Sequence, residues 1–147
     1  MLTGTRIWWL FVVNEQAYDL NMGAYFFHYD IDDYRCLKFF FYLTDVDLSS
    51  GYHVCVRGSH KKKKLAHILS LFKLRSDREI IDYYGEKNLV PICGETGFGF
   101  AEDTFCFHKA TPPTSKDRLV LQIQFNTKDY NNSNDFVDPR LLHRCLP

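Results

Sequence analysis

No apolar stretch of this chain is long enough to cross a bilayer as a helix. The run Ile7 to Val13 falls far short of the ~20 residues a span needs. It also lacks the basic start and small-residue cleavage site of a signal peptide, so a buried strand in a soluble, cytoplasmic protein is the expectation. Net charge is absent too: 18 Lys and Arg stand against 18 Asp and Glu. That balance gives no ground for a nucleic-acid or membrane partner. The five cysteines, Cys36, Cys55, Cys93, Cys106 and Cys145, are odd in number and have no C-x-x-C spacing. This argues against a disulfide framework and a structural zinc site, and for buried thiols in a reducing compartment. There is no internal repeat, no low-complexity linker and no convincing Ser-His-Asp or Cys-His arrangement. The Gly94 to Gly99 turn has no phosphate-loop pattern.

Aromatic residues are plentiful. Thirteen Phe and nine Tyr among 147 residues can fill the core of one domain and favour strands over helices. Strands are expected at Ile7 to Val13, Ala24 to Ile31, Cys36 to Thr44, Tyr52 to Val56, Leu89 to Cys93, Gly99 to Phe100, Thr104 to His108 and Arg118 to Phe125. Asp45 to Gly51 has the Asp, Ser and Gly of a turn. In the last strand Leu119, Leu121, Ile123 and Phe125 alternate with Arg118, Val120, Gln122 and Gln124, which puts the two sets on opposite faces.

Helical character is confined to residues 65–84. Leu65 to Leu74 is apolar enough for a helix. Ser76-Asp77-Arg78-Glu79 matches a capping box, which predicts a helix from Asp77 to Tyr84 stopped at Gly85. The tail from Asn126 is polar and expected to be irregular. Many short strands with one helical insertion point to a mainly-β sandwich or barrel of jelly-roll type.

The residues with chemistry lie in a particular order. His28-Tyr29-Asp30 places two metal-ligating types one residue apart, and in an extended segment both point to one face. Alone this pair is close to a chance occurrence. His108 follows in an aromatic segment, and Arg118 opens the last strand. A buried arginine needs an anionic partner, and its guanidinium fork suits a carboxylate. Two histidines and one carboxylate on one face would leave iron(II) open positions for oxygen and a second ligand. The other features have plainer readings. Lys61 to Lys64 is expected to be a solvated run, and Trp8 and Trp9 to be core or sheet-edge residues. His53, His60 and His67 recur every seven residues by coincidence, and the direction of Lys38 is open.

In this order the motifs resemble the phytanoyl-CoA dioxygenase-like branch of the iron(II)- and 2-oxoglutarate-dependent oxygenases. The matching stretches are His28-Tyr29-Asp30, Leu37 to Val46, Gly51 with Val56-Arg57-Gly58-Ser59-His60, and Phe107-His108 with Arg118. They span roughly Ala24 to Phe125. The resemblance implies a double-stranded β-helix in which His28, Asp30 and His108 bind Fe(II) and Arg118 binds the distal carboxylate of 2-oxoglutarate. It implies oxidation, usually hydroxylation, of a small organic substrate by molecular oxygen. Arg57 stands where the family usually has Pro. Ala110 stands where a small hydroxyl residue often helps hold 2-oxoglutarate, with Thr111 as the nearest substitute. Family members usually carry a longer region ahead of the H-x-D, so residues 1–147 are expected to be a single catalytic core that lacks it. The alternatives are a non-catalytic jelly-roll remnant that binds metal and a cupin-like metalloprotein that does not use 2-oxoglutarate.

Overall fold

The computed structural model describes residues 4–12, 22–33, 36–70 and 73–127. Among these residues seven strands form two antiparallel sheets: β1 (Gly4–Val12), β2 (Cys36–Tyr42), β3 (His53–Val56), β4 (Leu89–Ile92), β5 (Gly99–Glu102), β6 (His108–Ala110) and β7 (Arg118–Asn126). The first sheet runs β1-β7-β2-β5 and the second β4-β3-β6. Two helices, α1 (Leu65–Leu69) and α2 (Asp77–Tyr84), interrupt the strands. Among the described residues no helix is long and apolar enough to cross a membrane.

The sheets meet through aromatic side chains. On β2, Lys38, Phe40 and Tyr42 alternate with half-buried or exposed neighbours. Register places Lys38 between Glu102 and Gln124, and Phe40 between Phe100 and Gln122. The His53 ring on β3 packs 5.2 Å from Phe40 and 5.4 Å from Phe100. The Tyr42 hydroxyl crosses to the Ile92 carbonyl at 2.7 Å. A second core joins Phe27, Val56, Ile80 and Phe107, all fully buried.

The buried face of β7 is the one carrying Arg118, Val120 and Gln124, because that face closes over the interior between the sheets. Ile7 on β1 is 62% exposed, contrary to a buried strand at this position. β1 pairs only with β7 and is an edge of the described sheet, where one face can meet solvent. The side chains of Trp8 and Trp9, and residues 128–147 of the expected irregular tail, lie outside the described residues.

Two expected strands take other forms. Residues 22–25 form a 3-10 turn, and the segment after it makes only isolated bridges, Phe27 to Arg75 and His28 to His108. The physical reason is on the partner side. The Asp103 carboxylate accepts the Phe105 amide at 3.0 Å and its carbonyl accepts the Cys106 amide, so residues 103–106 turn instead of running straight. His108 therefore opens β6 rather than closing a strand.

The helical insertion is shorter at its start, with α1 ending at Leu69. For α2 the Ser76 hydroxyl accepts the Glu79 amide at 3.3 Å and Gly85 caps the far end at φ 83°. The reciprocal half of the expected capping box is replaced. The Glu79 carboxylate lies 3.1 Å from His67 and 3.2 Å from Arg75 instead.

Candidate metal centre

His28 and His108 face each other as an antiparallel pair. Their backbones exchange hydrogen bonds of 3.0 and 2.8 Å, and the Asp30 amide donates to the Thr104 carbonyl at 2.9 Å. The H-x-D segment is thus held extended against the turn that leads into β6. This brings a histidine nitrogen, a carboxylate oxygen and a second histidine nitrogen within 4.8 Å of one another. Asp30 Oδ2 and His108 Nε2 are 3.7 Å apart. Two ligands at right angles and about 2.1 Å from a metal stand about 3 Å apart, so little contraction separates the two arrangements.

The tautomers follow from the backbone. His28 Nδ1 lies 2.9 Å from the Phe26 carbonyl, and His108 Nδ1 3.0 Å from that of Cys106. A carbonyl only accepts, so each Nδ1 carries a proton, and this tautomer leaves Nε2 as the nitrogen that can face a metal. Burial disfavours imidazolium at His108 and pushes its pKa down to about 4. Burial alone would raise Asp30, but attraction from His108, Lys38 and His28 outweighs it and holds the carboxyl below its ordinary value. Near neutral pH the cluster therefore offers a neutral His108 imidazole and the Asp30 carboxylate, with the His28 ring beside them.

The cluster lines a cavity of about 230 Å³ whose walls also include Lys38, Phe40, Tyr42 and Arg118. Arg118 is 5% exposed, and burial lowers its pKa. One guanidinium nitrogen donates to the Gly51 carbonyl, while the buried Nε has no partner. Among the described residues no carboxylate pairs with it. Gly51 is held at φ 75°, and a Cβ there would come within 2.8 Å of the Thr111 carbonyl. Only glycine fits. The Asp47 carboxylate builds the preceding turn by accepting the Ser49 amide at 2.8 Å and the Ser50 hydroxyl at 3.0 Å.

Several residues take places that their sequence reading left open or put elsewhere. Lys38 points into the cavity and lies 2.5 Å from Asp30 Oδ2 and 3.3 Å from Asp32. Thr111 gives its hydroxyl to the Tyr52 carbonyl at 3.0 Å, while Ala110 lines the cavity. Lys63 is no free member of a solvated run. Its ammonium donates to the Phe105 carbonyl at 2.8 Å and sits 4.0 Å above the Tyr29 and Phe107 rings. The Arg57 amide donates to Asn88 at 2.8 Å, a bond that proline at this position could not make. Ser59 accepts the Phe107 amide at 2.7 Å, so the Gly-Ser-His turn fixes the approach to His108.

The sequence reading missed a buried polar group behind His108. Glu102 takes His53 Nε2 at 2.8 Å and the Cys55 thiol at 2.9 Å, and lies 3.7 Å from His108 Nδ1. Burial alone would raise Glu102, but His53, His108 and Cys55 outweigh it and keep it ionised. Burial, then the Glu102 charge, raises the Cys55 thiol, so it stays protonated and donates. His53, Cys55 and Glu102 also form a second set of three close donor atoms. The alternation His53-x-Cys55 was the available sign, since both point inward from one strand.

The fold is shared with solved structures, one of them of a non-heme monooxygenase. The chain superimposes on ThoJ, a non-heme monooxygenase solved as a nickel complex, with TM-score 0.51 and 17% identity over 84% of this chain and 43% of ThoJ. For EvdMO1 the values are 0.55, 18%, 85% and 27%. For AviO1 from Streptomyces viridochromogenes Tue57 they are 0.55, 15%, 89% and 52%. The chain spans about half or less of each of these proteins. No protein-family model matches the sequence, and no curated protein does.

Proposed function

We propose that this chain is an iron(II)- and 2-oxoglutarate-dependent oxygenase core that hydroxylates a small organic molecule. In this reading the two sheets are the halves of a double-stranded β-helix of phytanoyl-CoA dioxygenase-like type, and residues 1–147 form one catalytic unit. The observation that carries it is the convergence of His28, Asp30 and His108 within 4.8 Å on a cavity that also holds Arg118 with an unpartnered Nε. The fold likeness to ThoJ, a non-heme monooxygenase, supports the same class.

His28, Asp30 and His108 would hold the metal, which when bound supplies a redox-active Lewis acid with open positions for a keto acid and oxygen. Arg118 would orient 2-oxoglutarate through its distal carboxylate. Phe40, Tyr42 and Phe100 would exclude water from the cavity and strengthen both charged contacts. The four described cysteines are free thiols, which suits the reducing cytoplasm. Anaerobic titration of the full chain with Fe(II) and 2-oxoglutarate tests the reading. A visible charge-transfer band is expected, and His28→Ala should remove it while leaving the protein folded.

The Lys38–Asp30 contact favours a second reading, a metal-free β-protein in which Lys38 is the permanent partner of the carboxylate. Folded protein that binds neither Fe(II) nor Mn(II) would establish that reading over the first.

A further inference from the structure

The acceptor for Lys38 is the same oxygen that faces His108. Asp30 Oδ2 lies 2.5 Å from the Lys38 ammonium and 3.7 Å from His108 Nε2. A metal bound through this oxygen and His108 therefore contests it with a buried cation. Lys38 is 8% exposed, so water cannot readily take over its solvation. Its other partner, Asp32, is 3.3 Å away and 40% exposed, and offers weaker compensation. The charges around the cavity sharpen the problem. Lys38 and Arg118 face a single lining carboxylate, Asp30, with Asp32 3.3 Å from Lys38 and Glu102 3.7 Å from His108 behind the lining. A divalent ion adds two positive charges to the cavity beside these cations, and a dianion offsets them.

We propose that Lys38 couples metal loading to anion binding. In the empty site it holds Asp30 and opposes the metal. When the metal takes the Asp30 oxygen, the ammonium turns to a carboxylate of the incoming dianion. Lys38 is then a positioning residue that makes metal and cosubstrate bind together and disfavours metal without cosubstrate. This rests on the function proposed above.

The test is Mn(II) affinity of the full chain, read from the free-ion electron paramagnetic resonance signal with and without 2-oxoglutarate. In the unsubstituted protein 2-oxoglutarate should tighten Mn(II) binding by about tenfold or more, a usual size for coupling between two sites. Lys38→Met should bind Mn(II) alone about tenfold more tightly and lose most of the gain from 2-oxoglutarate. Should that variant fail to fold, Lys38→Gln carries the same expectation. Asp32→Asn should act in the opposite direction by leaving Lys38 wholly on Asp30, and its effect should vanish when Lys38 is also Met. A lysine with only a structural role would give weaker binding on substitution, with the 2-oxoglutarate gain unchanged, and that result overturns the inference while leaving the oxygenase reading intact. Unsubstituted protein that binds no Mn(II) under either condition overturns both.

Discussion

At the scale of single residues, Arg118 makes the sharpest demand. It is buried with an unsatisfied Nε, an arrangement that costs stability unless a ligand completes it. Arg118→Met should therefore leave the ligand-free protein at least as stable as the parent. It should weaken 2-oxoglutarate binding by about 2 kcal/mol, roughly 30-fold, the usual size for hydrogen bonds to a charged group. Calorimetric titration of 2-oxoglutarate into the Mn(II)-loaded variant measures this, and unchanged affinity removes Arg118 from the cosubstrate site. The tautomers of the two histidines are equally local. Each histidine is oriented by the carbonyl two residues before it, a bond that any extended X-His pattern can make and that no residue identity announces.

At the scale of elements, Phe107 links the core to the site. It is fully buried against Tyr29, His67 and Tyr84, and the next residue is His108. Phe107→Ala should cost about 3–5 kcal/mol, read as a lowered denaturant midpoint. Ser76→Ala removes the α2 N-cap and should cost about 1 kcal/mol without touching metal affinity. The two substitutions separate damage near the cavity from damage at the helical insertion.

Much of this level was legible in the sequence. β2, β4 and β7 fall where aromatic or alternating patterns place them, and α2 has its Ser76 and Gly85 boundaries. The His28 segment was misread as a full strand because its pairing depends on a partner, residues 103–106, that turns under the control of Asp103. Periodicity within one segment carries no information about the curvature of another. The candidate ligands were readable as residue types in order. Their convergence, the intrusion of Lys38 and the Glu102 network were not, because each depends on strand register across a sheet. Lys38, Glu102 and Gln124 become neighbours only once β2, β5 and β7 align.

At the scale of the whole molecule, acid should destabilise the fold through His108. Burial lowers its pKa from 6.5 to about 4, so the unfolded chain binds a proton that the folded chain resists. The stabilisation tied to neutral His108 is fully present above pH 6.5 and is lost as pH falls from there toward 4. The denaturant midpoint of metal-free protein should drop across that window, and more gently in His108→Asn. A midpoint flat between these pH values would show that His108 is not buried as a neutral ring.

His28, Asp30, His108 and Arg118 are proposed to act as one site for iron and a keto acid. The most direct measurement is the anaerobic visible spectrum of the full chain with Fe(II) and 2-oxoglutarate added together. A charge-transfer band is expected that requires both additions, is absent in His28→Ala and needs much higher 2-oxoglutarate in Arg118→Met. Folded protein that shows no band at saturating Fe(II) and 2-oxoglutarate would contradict it.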